Sequence, residues 1–345
     1  MFITTYKVTA PEVIEEFVDT LEYDNQSVLV HVDMMAICKA DIRYFLGSRD
    51  KNVLDRKYPL APIHEAVGTV IKDPTNKFKK GDKVILIPNY VDTSLCEKCP
   101  HIRCHNKDLG QNYCPHAIFK SSSSDGFMRP YYSCSNDLLV KYNSSIPSEI
   151  AVFSELLSVA HAACRRIDFE KAKNIAIFGD GIMGYMVYLL LTFLFNKKVT
   201  IFGLDKNKLS SFTFASTTSF KEYRGEGFDT LIECVGGKGS EFAINQMIDI
   251  SQIGADLILM GVSENNVAIN TRKILEKGLS IKGVTRSTIE DFDAVSKILE
   301  NPSLQECLSK LVLSIGQIKC VNDVYHRFEM EINNNTIIGK NLMKF

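Results

Sequence analysis

The hexapeptide Gly179-Asp180-Gly181-Ile182-Met183-Gly184 constrains the fold of this chain more than any other feature. It follows a short apolar run, 174–178, and opens a longer one, 181–195, so it reads as the turn between a strand and a helix. In that setting the first glycine allows a tight turn, the second lets the backbone approach a pyrophosphate, and the third permits close helix–strand packing. The helix N-terminus then faces the anion. Apolar runs at 199–202, 230–234, 257–261 and 280–283 continue the series, with a helical stretch at 239–250 among them. Strands alternating with helices predict a parallel sheet, so this half of the chain is expected to be doubly wound α/β.

A dinucleotide site that takes NAD carries Asp or Glu at the end of its second strand, to hold the ribose 2′-hydroxyl. Here the strand 199–202 ends in Gly203, which removes that carboxylate and its repulsion toward a 2′-phosphate. Lys206 and Lys208 follow at once and can pair with such a phosphate, so NADP(H) is the expected cofactor. The competing reading makes the two lysines solvated charges and gives the NAD role to Asp205.

The first part of the chain follows a different pattern. Short runs rich in Val, Ile and Leu at 27–32, 66–71 and 83–88 are separated by turn residues, as in a β-rich domain. From 89 to 128 the pattern gives way to Cys, His, Asn and Ser, and the expectation there is one long functional or tethered loop. After Pro147 the stretch 148–167 can be helical, and the tail 291–345 holds one or two helices and a terminal strand-like run. The expected domains are 1–147, 148–288 and a segment 289–345.

Within the long loop stand Cys96, Cys99, Cys104 and Cys114, four of the ten cysteines in the chain. Four thiolates can close a tetrahedral shell and tether a loop that lacks its own core, which is the usual role of structural zinc. His101, His105 or His116 could replace one thiol. A second set is scattered: Cys38, His64, Glu65 and Glu155. Thiolate, imidazole and carboxylate suit zinc with a position left for substrate, but spacing alone leaves these residues equally readable as core and surface groups.

Charge and hydropathy narrow the function classes. Forty basic against forty-one acidic residues give a net charge of −1, so nothing favours nucleic acid or an anionic membrane. The N-terminus lacks a secretory pattern, and the most apolar stretch, 185–195, is about half the roughly 20 residues a bilayer span requires. A cytoplasmic location is expected, with most thiols reduced.

Together these residues resemble the zinc-dependent medium-chain dehydrogenases over nearly the whole chain. The likeness rests on Ile37-Cys38-Lys39-Ala40-Asp41, His64-Glu65-Ala66-Val67-Gly68, the cysteine loop, Ser154-Glu155-Leu156-Leu157-Ser158-Val159 and the dinucleotide loop, in that order. The resemblance implies a GroES-like β-rich catalytic domain, a Rossmann domain, a C-terminal segment returning to the catalytic domain, and a homo-oligomer, dimer or tetramer. It implies that Cys38, His64 and either Glu65 or Glu155 hold catalytic zinc, the other carboxylate binding through water or exchanging in. The cysteine loop becomes the structural zinc lobe, and Val235, Gly261 and Val262 join the cofactor contacts. Two departures stand out. The lobe spacing is x2, x4, x9 rather than x2, x2, x7, and Ala40 replaces the Ser or Thr that relays a proton, which must travel by water, another side chain or the substrate.

Within that family the chain is most similar to the ribulose-5-phosphate reductases that feed CDP-ribitol synthesis for teichoic acids and capsules. The shared stretches are 49–54, 124–128, 233–240, 243–246, 261–264, 270–272 and 276–279, and the subgroup also shows Ala at the relay position and Gly after the second strand. Its members do not generally keep the full cysteine lobe, which this chain retains. The resemblance implies NADPH-dependent reduction of D-ribulose 5-phosphate to D-ribitol 5-phosphate, with a functional link to a cytidylyltransferase. A phosphorylated substrate needs cations, for which Arg49, Arg129 and Arg286 are the candidates. Two other readings stay open: a zinc polyol or sugar-alcohol (phosphate) dehydrogenase using NAD(H), and a nucleotide-binding member without catalysis. Retention of all four scattered ligands speaks against the last.

Overall fold

The computed structural model describes residues 1–91 and 110–345. They form two compact units: Met1–Glu155, Ser287–Asn335 and Gly339–Phe345 make one, and Leu156–Arg286 with Thr336–Ile338 the other.

The first unit is built on a seven-stranded sheet. Its order is Val312–Gln317, Lys340–Lys344, Ser27–Ala36, Glu65–Lys72, Lys83–Leu86 and Leu139–Lys141, with Tyr131–Ser135 also pairing to Ser27–Ala36. Alternation explains the central strand: Val28, Val30 and Val32 are fully buried while the residues between them are partly exposed, the period of a half-buried strand. Those valines join Phe127, Met128, Phe45 and Phe328 in one core. Strand Lys340–Lys344 pairs antiparallel with Ser27–Ala36 through Leu342 and Met343, which places a late segment beside an early one. A hairpin of Phe2–Ala10 and Val13–Thr20 completes the β-rich character.

The second unit is a six-stranded, wholly parallel sheet in the order Ser216–Thr218, Val199–Phe202, Ile175–Phe178, Phe228–Glu233, Ser251–Leu259 and Ser280–Gly283. Strand Ile175–Phe178 is buried at all four positions, as expected of a strand covered on both faces. Helix Ile182–Phe193 is buried from Gly184 to Leu191, which accounts for its nearly unbroken apolar sequence. The two neighbours of Ile175–Phe178 come from opposite directions of the chain's progress across the sheet. Its carboxyl end is therefore a topological switch point, where ligands of such sheets bind. The GroES-like plus Rossmann-type α/β architecture is the one expected.

Three local expectations are corrected. Residues 89–128 are not all loop: Asn89–Val91 and Ala117–Phe119 pair as a small antiparallel sheet, with a 3-10 turn at Gln111–Tyr113. Strands of three residues are too short to show a period. The helix expected over 148–167 is two, Ser148–Ala151 and Ser154–Cys164, and the tail holds three helices, Ile289–Ile298, Pro302–Ser309 and Val321–Asn333. Among the described residues no helix is long and apolar enough to cross a membrane.

Candidate functional site

Cys38 sits just before helix Lys39–Phe45, and its backbone N–H donates to Asp41 Oδ2 at 2.9 Å. This is the capping-box spacing, in which the residue three positions into the helix reaches back to satisfy an orphan amide. The other oxygen of Asp41, Oδ1, accepts from Ile63 N at 3.1 Å and lies 3.6 Å from His64 Nδ1. One fully buried carboxylate thus ties the Cys38 turn to the His64 segment. Burial raises the Asp41 pKa, but His64 and the two backbone donors outweigh it and hold the carboxyl below its usual range.

Ile63 carries a φ of +79°, an unfavourable conformation for a β-branched residue. Its surroundings enforce it. Gly126 N donates to Ala61 O and Phe127 N to Ile63 O, both at 2.7 Å, and Asp125 Oδ1 accepts from Ala61 N. A Cβ on Gly126 would lie 2.2 Å from Ile63 O, so only glycine lets the segment 124–128 lie against the chain before His64. Backbone strain held this way is typical of functional sites.

The ligand-type atoms of Cys38, His64 and Glu65 all lie within 4.8 Å of one another, with His64 and Glu65 buried. His64 Nδ1 is 2.7 Å from Ser121 Oγ, which leaves Nε2 for the cluster, and the ring packs against Phe119 at 5.1 Å. Burial opposes the imidazolium, but Asp41 and Cys38 override it and raise the His64 pKa well above normal. Glu65 Oε1 accepts from Lys340 Nζ at 2.8 Å, and the same ammonium donates to Ile37 O at 2.7 Å. Burial disfavours the Lys340 ammonium; Glu65, Cys38 and Glu331 more than compensate, and its pKa is raised. Glu65 Oε2 is buried with no hydrogen-bond partner. Glu155 is buried as well, and burial foremost, aided by Glu65 and opposed by His64, pushes its carboxyl up to about 7.

These residues fit a zinc ion. Three carboxyls and a thiol surround one ammonium and one imidazole, and an orphaned carboxylate oxygen is left where a cation would satisfy it. Neither Asp41, Ser121 nor Lys340 was assigned a role from the sequence. Asp41 was legible in principle from the Cys38-x-x-Asp41 spacing; Ser121 and Lys340 are separated from their partners by 57 and 275 positions and carry no local signal. Ser121→Ala should lower zinc affinity or activity by about 10–100-fold, because it removes the hydrogen bond that orients His64. Zinc titration with a competing chelator measures it, and affinity equal to the unaltered protein would refute that role for Ser121.

The remaining expected site residues fall in several places. Cys96, Cys99, Cys104, His101 and His105 lie outside the described residues, whereas Cys114 is buried and His116 exposed. Arg49 stacks over Tyr44 at 5.1 Å, and Tyr44 Oη is 3.1 Å from Ser122 Oγ, one residue from Ser121. Arg129 is mostly buried and faces Asp125 at 3.5 Å, a carboxylate it shares with Lys7. Arg286 is half-buried with φ +57°, and burial lowers its pKa.

In the Rossmann unit the expected cofactor residues converge on the carboxyl edge of the parallel sheet. Gly179 has φ +128° and its α-carbon faces the Cys234 carbonyl; a Cβ on Gly184 would stand 2.1 Å from Gly179 O; a Cβ on Gly181 would meet nothing within 4 Å. These are the turn, packing and open-approach roles in turn, with Ile182 and Met183 starting the helix. Val235 and Val262 leave apolar surface exposed at this edge. A residue missed in the sequence organises it: buried Glu233 accepts through Oε1 from Val235 N, Gly236 N and Ser240 Oγ, and through Oε2 from Gly261 N, all at 2.8–2.9 Å. Asp205 Oδ1 accepts from Asn207 N and Lys208 N as a helix cap, so that carboxylate oxygen is engaged with its own backbone. Among the described residues neither Lys206 nor Lys208 is in a salt bridge.

Comparison with known proteins accords with this geometry. Residues 24–145 match the alcohol dehydrogenase GroES-like domain and residues 206–301 the zinc-binding dehydrogenase domain. The chain is 36% identical to ribulose-5-phosphate reductase 1 of Staphylococcus aureus, covering 100% of this chain and 99% of that protein. It is 34% identical to the ribulose-5-phosphate reductase of Bacillus spizizenii, over 97% of each. The crystal structure of S. aureus TarJ in complex with NADPH superposes with a TM-score of 0.84 at 33% identity, over 100% of this chain and 99% of that one. Escherichia coli L-idonate 5-dehydrogenase, at 18% identity and a TM-score of 0.86, shares the fold. The chain belongs to the zinc-binding alcohol dehydrogenase family, alongside the ribulose-5-phosphate reductases.

Proposed function

We propose that this protein reduces D-ribulose 5-phosphate to D-ribitol 5-phosphate with NADPH, supplying CDP-ribitol synthesis through a cytidylyltransferase in the cytoplasm. The observation that carries the reading is the Cys38–His64–Glu65 cluster, with His64 and Glu65 buried and one carboxylate oxygen orphaned, in a chain whose full-length relatives are named ribulose-5-phosphate reductases. Cys38, His64 and Glu65 would hold the catalytic zinc, with Glu155 the second carboxylate beside them, and Cys96, Cys99, Cys104 and Cys114 a structural one. When bound, zinc supplies Lewis acidity to the C2 carbonyl oxygen, and NADPH supplies the hydride.

The chain's own residues position and screen. Ser121 fixes the His64 tautomer and ring, Asp41 braces the Cys38 and His64 segments, and Lys340 balances the charge of Glu65. Gly179, Gly181, Ile182, Met183 and Gly184 cradle the pyrophosphate; Gly203, Lys206 and Lys208 admit the 2′-phosphate; Val235, Gly261 and Val262, held by Glu233, receive the nicotinamide. The proton that completes the alcohol comes from solvent or a side chain other than residue 40, since Ala40 carries none to give. Arg49, Arg129 and Arg286 are proposed for the substrate phosphate. Arg49 is favoured by its link through Tyr44 and Ser122 to the His64 neighbourhood. The protein is further proposed to act as a homo-oligomer, dimer or tetramer. Strand Ser280–Gly283 lies at a sheet edge and, with Ile281 and Ile253 exposed, offers the kind of edge that natural proteins cover.

The test is oxidation of NADPH or NADH by the zinc-loaded protein with D-ribulose 5-phosphate, ribulose, xylulose 5-phosphate or fructose 6-phosphate, followed by loss of nicotinamide absorbance. Turnover of NADPH with ribulose 5-phosphate in preference to the rest is the expected result. Activity confined to another ketose, or to NADH, would replace the substrate or cofactor assignment. The Asp205 cap disfavours the NAD reading, since its Oδ1 already receives two backbone donors.

A further inference from the structure

The second residue of the glycine loop, Asp180, carries a side chain the dinucleotide motif does not require. Its Oδ2 accepts from Leu204 N at 2.7 Å and from Asp205 N at 2.8 Å. These amides belong to the turn that follows strand Val199–Phe202, where an NAD-type enzyme would present its ribose-binding carboxylate. A Cβ built on Gly203 would lie 2.7 Å from Asp180 Cβ, 2.8 Å from Asp180 Oδ2 and 2.8 Å from Leu209 Cδ2. Contacts that short are not tolerated, so a side chain at 203 and the Asp180 side chain, from its Cβ outward, exclude each other. Gly203 has a φ outside the left-handed region, and the demand for glycine there is one of space alone.

We infer that Asp180 is a positioning residue for cofactor choice: its side chain leaves no room for one at 203, and its carboxylate, committed to the Leu204 and Asp205 amides, locks the turn 203–205. The inference rests on the NADP(H) reading above. With Asp180 in place, an acidic residue cannot be accommodated at 203, and the Leu204 and Asp205 amides are committed to it rather than to a ligand. Asp205 in turn is committed to capping the helix Lys206–Leu209. The start of that helix is thereby fixed in position, and with it the backbone bearing Lys206 and Lys208, the cations nearest in sequence to the absent acid. Asp180 acts on cofactor choice by positioning and exclusion. Because a single oxygen accepts both hydrogen bonds, the amide oxygen of asparagine can replace it.

The experiment is steady-state kinetics with NADPH and NADH on the zinc-loaded full chain and four variants, with thermal unfolding recorded for each. Asp180→Ala should lower the NADPH-to-NADH ratio of kcat/KM by about tenfold or more, through KM for NADPH with kcat changed little. Asp180→Asn should stay within about threefold of the unaltered protein, a rescue that a general loss of folding would not give. Gly203→Asp alone should weaken both cofactors, whereas Gly203→Asp with Asp180→Gly, which also removes the Cβ in the way, should use NADH about tenfold better than Gly203→Asp alone. Should Asp180→Ala not fold, Asp180→Ser, whose hydroxyl is too short to bridge both amides, takes its place. An unchanged cofactor ratio in Asp180→Ala, or a switch to NADH by Gly203→Asp as complete as in the double variant, would overturn the inference. Preference of the unaltered protein for NADH would overturn the NADP(H) reading itself, a separate and prior result.

Discussion

Replacing Cys38 with serine is expected to remove the catalytic zinc and reduce ketose-phosphate turnover by about a thousandfold or more, while NADPH binding survives. A thiol becomes a thiolate readily beside a cation and binds zinc through a soft, polarisable sulfur; a serine hydroxyl does neither near neutral pH. Loss of a Lewis acid from a carbonyl reduction forfeits several kcal/mol of transition-state stabilisation, which is the size of that rate effect. The residues proposed for the cofactor belong to the other compact unit, Leu156–Arg286, so nucleotide affinity should be untouched. Zinc per chain by elemental analysis, NADPH affinity by fluorescence titration and turnover are measured on the same preparation. Zinc content should fall from two to one per chain if the cysteine lobe is loaded, and from one to none if it is not. A variant that has lost its zinc yet keeps full turnover would sink the assignment.

The second large effect is on stability. Lys340 and Glu65 are an ion pair buried to 3% and 0% relative exposure, and Lys340→Met removes the cation while leaving the carboxylate where it is. Breaking a buried pair by deleting one partner costs about 3–5 kcal/mol, because the surviving charge is neither solvated nor matched. Urea unfolding of the metal-free protein should show a loss of that size, and Lys340→Met with Glu65→Gln should recover much of it. The zinc-loaded variant should lose less than the metal-free one, since a bound zinc would place a second cation beside Glu65. A loss under about 1 kcal/mol in the metal-free protein would overturn the role given to this buried pair.

What the sequence made legible was local. Gly179, Gly181 and Gly184 announce their roles because each role depends on neighbours within one turn, and the structure gives all three the expected surroundings. Gly203 is legible as a missing carboxylate, but the contact that leaves no room for a side chain there, with Asp180 on the preceding loop, is not. The scattered cluster shows the limit more sharply. Cys38, His64 and Glu65 were named through resemblance, because their spacing carries no signal, and the groups that orient them were not named at all. Ser121 looked like one more serine in a polar run, and Glu233 like the start of a matched stretch. A buried carboxylate that gathers four donors from the turn 235–236, a helix start at Ser240 and Gly261 has no pattern in one dimension. Short elements were lost for a related reason: Asn89–Val91 and Ala117–Phe119 are strands only because they find each other.

The ion pair between Lys340 and Glu65 also has a timetable. At about 5–20 residues per second, a ribosome that has made Glu65 needs tens of seconds to reach Lys340. Throughout that interval the emerging β-rich unit has Glu65 but not the ammonium that balances it, and its sheet lacks Lys340–Lys344, the strand beside Ser27–Ala36. The six strands of the Rossmann sheet, by contrast, are all made by Gly283, well before then. The unit that starts first therefore finishes last, and the assembled metal site is a property of the completed chain rather than of any early intermediate.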